Sequence, residues 1–204
     1  MDFHYTPDED IAMHRENAIR LICANFQAHE NGLPELVKNS ADEYARIEAP
    51  PQRRVIVLVF GNARSGLPAS ISCLDFGGMT SDTIERHFRH WGDPEAALQG
   101  GEGADVQGGH GNGGKCYMTQ MFNEYALIHT CSNGVGNRYG VESGSVRFGY
   151  IPEAEQGKDF AVPDVVDELD AALSHTRASH RHLPEVARDA LSLANGFTLV
   201  SGVS

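Results

Sequence analysis

Three short stretches of this chain carry side chains whose types and spacing suit chemistry on a polar ligand. In order they are Glu35-Leu36-Val37-Lys38-Asn39-Ser40-Ala41-Asp42, Asp75-Phe76-Gly77-Gly78-Met79 and Gly108-Gly109-His110-Gly111-Asn112-Gly113-Gly114-Lys115. In the first, at about 100° per residue on a helix, Glu35, Asn39 and Asp42 share one narrow stripe, while Leu33, Leu36, Val37, Ser40, Ala41 and Tyr44 fall on the opposite side. Any amphipathic helix with a solvated face shows such a division. The donor chemistry says more. Asn39 is a neutral oxygen donor suited to a hard cation such as Mg²⁺, which keeps several waters and leans on substrate phosphates. Glu35, one turn earlier, is spaced to orient or deprotonate a water beside that metal.

The second stretch follows the apolar run Ile71-Ser72-Cys73-Leu74, which reads as a buried strand and leaves Asp75 at its end. A carboxylate there can accept a hydrogen bond from an exocyclic amine such as that of adenine. The same residues also suit an ordinary turn, with Thr80 or Ser81 capping a helix that begins near Asp82. The third stretch nearly satisfies the phosphate-loop pattern G-x-x-x-x-G-K-[ST] from Gly109 to Lys115, but Cys116 stands where a hydroxyl should meet Mg²⁺. A thiol is a poor ligand for that cation, and the glycine-rich, polar residues 100–107 cannot supply the strand that must precede such a loop. A phosphate-loop fold is excluded. What remains is a glycine run entering a helix over residues 115–122, with backbone N–H groups, a helix N-terminus and the mobile charge of Lys115 available to an anion.

The elements that would position these groups follow from pattern. Residues 8–28 read as a helix, the first motif lies on a helix over 33–47, and Pro50-Pro51 ends it. Strands are expected at 54–60, 70–74, 125–131, 138–141, 146–150 and 197–200, with a glycine-rich joint at 132–136. Helices follow near 165–173 and 184–193. The expectation is an α+β fold with helices on one face of a mostly antiparallel sheet, built as a single domain over 1–204.

With these residues in view, the chain resembles the GHKL superfamily of ATPases, which includes DNA gyrase, ninety-kilodalton heat-shock chaperones, sensor histidine kinases and MutL. E-x-x-x-N-x-x-D is similar to the family's N box, D-x-G-G-M to its G1 box and G-x-x-G-x-G-x-K to its G2 box. Gly111 to Lys115 is most similar to the MORC branch, and Asn39 to Glu43 also resembles the gyrase branch. The resemblance covers roughly residues 10–150 and implies a two-layer Bergerat-type ATP-binding fold that uses ATP and Mg²⁺. It implies Glu35 as general base, Asn39 as Mg²⁺ ligand, Asp42 as a pocket carboxylate and Asp75 as acceptor for the adenine amine. Gly77, Gly78 and Met79 would flank the base, and Gly108, Gly109, His110, Gly111, Asn112, Gly113, Gly114 and Lys115 would wrap the phosphates. Residues 81–107 would form a mobile lid. Two departures stand out: the second motif is one residue shorter than D-x-G-x-G, and Gly196-Phe197-Thr198 matches the family's later Gly-Thr only imperfectly, with Thr198 at the pocket.

The implied activity is slow Mg²⁺-dependent ATP hydrolysis that drives lid closure and nucleotide-dependent dimerisation. The resemblance further implies that the chain is the N-terminal part of a longer protein, whose other domains supply a further basic residue and meet a client protein or DNA. Two other readings share the motifs. One is a histidine-kinase-like phosphotransfer domain, which usually has Asn where this chain has Glu35; the other is a non-hydrolysing nucleotide-binding interaction module. A module that takes no ligand at all would show no stabilisation by ATP.

Composition narrows the setting. A formal net charge of −12 opposes direct grip on nucleic acid by this domain. No apolar run approaches transmembrane length, and Cys23, Cys73, Cys116 and Cys131 lack close disulfide or metal spacing, as expected of reduced thiols in the cytoplasm. His87 with His90 and His180 with His182 lack the further ligands that a zinc site requires.

Overall fold

The computed structural model describes residues 14–24, 28–64, 66–91, 113–143, 145, 147–151 and 158–204. Its centre is a seven-stranded sheet of β1 (Ile56–Gly61), β2 (Ser70–Asp75), β3 (Tyr125–Ser132), β4 (Val135–Glu142), β5 (Gly149–Tyr150), β6 (Asp159–Ala161) and β7 (Gly196–Val203). Strand order is β1-β2-β7-β3-β4-β5, β6 also pairs with β4, and every pairing is antiparallel. The α-helices described are α1 (Arg15–Ala24), α2 (Ala28–Arg46), α3 (Ser81–Arg89), α4 (Gly113–Gln120), α5 (Val165–Leu173) and α6 (Glu185–Leu193).

The expected antiparallel α+β architecture is present. Its helices, however, cover both faces of the sheet. Side chains alternate along a strand, and here both alternating sets are apolar. Cys73, Ile128 and Val200 pack with Leu36 of α2, Ile84 of α3 and Met118 of α4, whereas Leu74, Cys131 and Leu199 pack with Leu169 of α5 and Ala187 of α6. Buried on both sides, β2, β3 and β7 need a layer on each. A third cluster seats Ile19 and Cys23 of α1 against Cys116 of α4, and all four cysteines are free and buried.

Local boundaries have local causes. The β3–β4 hairpin turns through Asn133 (φ 50°) and Gly134 (φ 79°), the two left-handed residues that a type I′ turn demands. Thr80 caps α3 by accepting from Thr83 N at 3.2 Å, and Asp164 caps α5 by accepting from Val166 N at 2.7 Å. β6 was not expected from the sequence: three residues carry too little pattern to announce a strand. The outer parts of the first expected helix, residues 8–13 and 25–27, lie outside the described residues, as do 92–107 of the expected lid and 108–112 of the glycine run. No helix among the described residues is long and apolar enough to cross a membrane.

Candidate functional site

The helical period of α2 sends Leu36, Ser40 and Tyr44 into the protein and leaves Glu35, Asn39, Asp42, Glu43 and Arg46 on the wall of a cavity of about 480 Å³. That volume lies within the range of small-molecule sites. Asp75 of β2 and Thr198 of β7, directly opposite each other in register, form part of its floor. Thr83, His87 and Phe88 of α3 face it, followed by His90, and the first turn of α4 closes it with Gly113, Gly114 and Lys115. Residues from four distant stretches of sequence thus meet around one space.

Asp75 is buried, and its carboxylate is held from two sides. Ser40 Oγ donates to Oδ2 at 2.7 Å, and the backbone N–H of Gly77 donates to Oδ1 at 2.9 Å. Burial pushes its carboxyl up to about 6; the Gly77 and Ser40 hydrogen bonds pull the other way, and the charge of Glu43 adds to the rise. Each carboxylate oxygen retains acceptor capacity for a ligand N–H.

The turn after Asp75 is pinned by side chains from elsewhere. Phe76 N donates to Tyr44 Oη at 2.7 Å, Tyr44 Oη donates to Val55 O at 2.6 Å, and Arg53 Nη2 donates to Phe76 O at 2.6 Å. Met79 N donates to Thr130 Oγ1 at 2.8 Å, and that hydroxyl donates on to Phe197 O at 2.8 Å. Gly78 has φ 79°, and a Cβ there would lie 2.5 Å from Cys131 O. Met79 reaches the cavity, whereas Gly77 and Gly78 shape the turn behind it.

At the other end α4 lies on α2 through glycine. A Cβ on Gly113 would fall 2.4 Å from Glu35 Cγ, and one on Gly114 would fall 2.9 Å from Asn39 Nδ2. Glu35 Oε2 is also 3.7 Å from Lys38 Nζ. Lys115, expected as a mobile charge, is instead buried. Its ammonium donates to His87 O at 3.0 Å and to His90 O, and lies 5.2 Å from the ring centre of Trp91. The cause is the C-terminal end of α3, whose carbonyls lack partners within the helix and attract a cation.

Sequence reasoning placed Ser40 on the packing side, where it does lie, and missed that it reaches Asp75. A hydroxyl on an otherwise apolar stripe was the available signal. Thr130, Thr83 and His87 were also missed, because they meet the site only through tertiary packing; Glu43 and Arg46, four residues after Asn39 and Asp42 on the same stripe of α2, were missed although the helical period could have found them. Among the described residues no group of three or more His, Cys, Asp or Glu side chains is arranged to hold a metal. His180 instead pairs with Asp170 at 2.8 Å, and His182 with Ser179 at 3.0 Å.

No family model and no curated protein sequence matches this chain. Among solved structures it is similar to the ATPase region of Saccharomyces cerevisiae topoisomerase II, with a TM-score of 0.46 and 13% identity, over 83% of this chain and 36% of that one. The chain spans little more than a third of that structure's length.

Proposed function

We propose that the cavity binds ATP together with Mg²⁺ and that the chain is a weakly hydrolysing ATPase domain of GHKL type. The observation that carries this reading is one cavity with a buried carboxylate at the floor, Asp75, and the Glu35, Asn39, Gly113 and Gly114 cluster at its end. Asp75 accepts the exocyclic amine of the base, and its two protein donors fix the direction of the remaining lone pairs. Thr198, beside Thr130 at 3.2 Å, offers a second hydroxyl at the floor.

The donor set fits Mg²⁺ better than a transition metal. Asn39 provides one neutral oxygen, and no cluster of three or more His, Cys, Asp or Glu competes for the ion among the described residues. A cation with few protein ligands must complete its shell with water and phosphate oxygens, as Mg²⁺ does. When bound it supplies charge neutralisation at the phosphates. Glu35 orients a water and accepts its proton. The first turn of α4 presents backbone N–H groups to the anion, and Gly113 and Gly114 let it approach Glu35 and Asn39. Positioning and electrostatics dominate phosphoryl transfer. A further cationic residue from outside this chain, lid closure over residues 81–107, nucleotide-dependent dimerisation and a client reached through other domains complete the proposal.

The test is calorimetric titration of the purified domain with ATP, with and without Mg²⁺, using Asp75→Asn as the control. Metal-dependent binding that is lost in the variant is the expected result. A folded wild type that takes up no ATP would overturn the reading and leave a scaffold with a disabled site.

A further inference from the structure

The α3 wall of the cavity carries an imidazole that the reading above leaves without a role. Thr83 and His87 are one helical turn apart and both face the cavity, opposite the polar stripe of α2. His90, His129, His175, His180 and His182 each have a hydrogen-bond partner. The ring of His87 has none among the described residues, although it is half-buried. Polar groups withdrawn from water without a partner are costly, so such a ring at a cavity wall is suited to a ligand.

We infer that His87 is a recognition residue for the anionic part of the ligand, donating to a phosphoryl oxygen as an imidazolium and taking up one proton from solvent as the ligand binds. The inference rests on the reading of the cavity as a site for a nucleoside polyphosphate. Four charged groups face the ring: Arg46 and Glu43 from α2, Lys115 from α4, and Arg86 on its own helix. Burial lowers its pKa first, the three cations lower it further, and only Glu43 opposes them. The empty cavity therefore holds a neutral ring at neutral pH. Several negative charges placed between α2 and α3 reverse that balance by outweighing the repulsion from Arg46, Arg86 and Lys115. The proton ends on the ring, and no bond of the ligand is broken. Asp75, at the far end of the floor, is already ionised at pH 7.5, with its carboxyl at about 6. His90, the other imidazole at the wall, already donates from Nδ1 to Arg86 O at 3.0 Å.

Calorimetry at pH 7.5 in HEPES and in Tris, whose ionisation enthalpies differ, separates proton uptake from binding. Expected are net uptake with ATP, none with adenosine, which lacks phosphate, and an ATP affinity about tenfold lower in His87→Gln with the uptake lost. His87→Lys, permanently charged, should bind ATP without uptake and so guards against a folding defect in the first variant. ATP binding with no uptake by the wild type, or the same uptake in His87→Gln, would overturn the role of His87 while leaving the ATP site intact. Failure of the wild type to bind ATP at all would overturn both.

Discussion

Asp75→Asn should separate stability from ligand recognition and move them in opposite directions. The wild-type carboxyl rises from 3.8 to about 6 on folding, chiefly through burial. Between those values the native state binds more protons than the unfolded chain, so stability falls as pH rises through the window. The favourable contribution is fully present below pH 3.8 and lost above about pH 6. At about 1.4 kcal/mol per pH unit, the loss is about 3 kcal/mol. Asparagine does not titrate. Its amide can accept from Gly77 N with the oxygen and donate to Ser40 Oγ with the nitrogen, so both native contacts have counterparts. Urea unfolding between pH 4 and pH 8, followed by the fluorescence of Trp91, the sole tryptophan, gives the two stability curves. The variant should gain about 2.4 kcal/mol on the wild type between pH 4 and pH 7, while its ATP affinity falls about 10- to 100-fold because a carboxylate acceptor is gone. Parallel curves across that range would refute the argument that burial of this carboxylate opposes folding.

Glu35→Ala should abolish release of phosphate from ATP, measured by a coupled colorimetric assay, and leave ATP affinity by calorimetry unchanged; loss of binding would contradict its role as base. Tyr44→Phe strands Phe76 N and Val55 O in the interior and should cost about 2–4 kcal/mol in urea unfolding. Gly78→Ala forces a side chain onto a left-handed residue and against Cys131 O. It should lose about 2 kcal/mol or more of stability and weaken ATP binding by displacing Met79; a neutral thermal melt would contradict both effects.

What could be read from the sequence was the part written in local spacing. Glu35, Asn39 and Asp42 are cavity-lining because residues three or four apart on a helix share a face, and Asp75 lies at the floor because it ends a buried strand. The turn between β3 and β4 falls inside the joint expected at 132–136, but the strands run closer to it than expected and leave only Asn133 and Gly134 between them. What could not be read depends on which strands meet. Thr130 holds Met79 because β3 pairs with β7 and β7 with β2, an order that no residue spacing encodes. Likewise, α5 and α6 carry a stripe that would pack on either face, and only the two-sided apolar strands decide for the second. Lys115 showed its charge but not its target, since the C-terminus of α3 is remote in sequence.

The position of β7 has a consequence for how the protein comes into being. This strand, formed by residues 196–203, lies between β2 and β3 and, among the described residues, joins β1 and β2 to the remaining strands. During synthesis the floor therefore stays incomplete until β7 has been made, because Asp75 on β2 is laid down long before its register partner Thr198. Pairings this distant in sequence are slow to close. The nascent chain carries an open edge on β2 and another on β3 throughout that interval, and the cavity is one of the last features to appear.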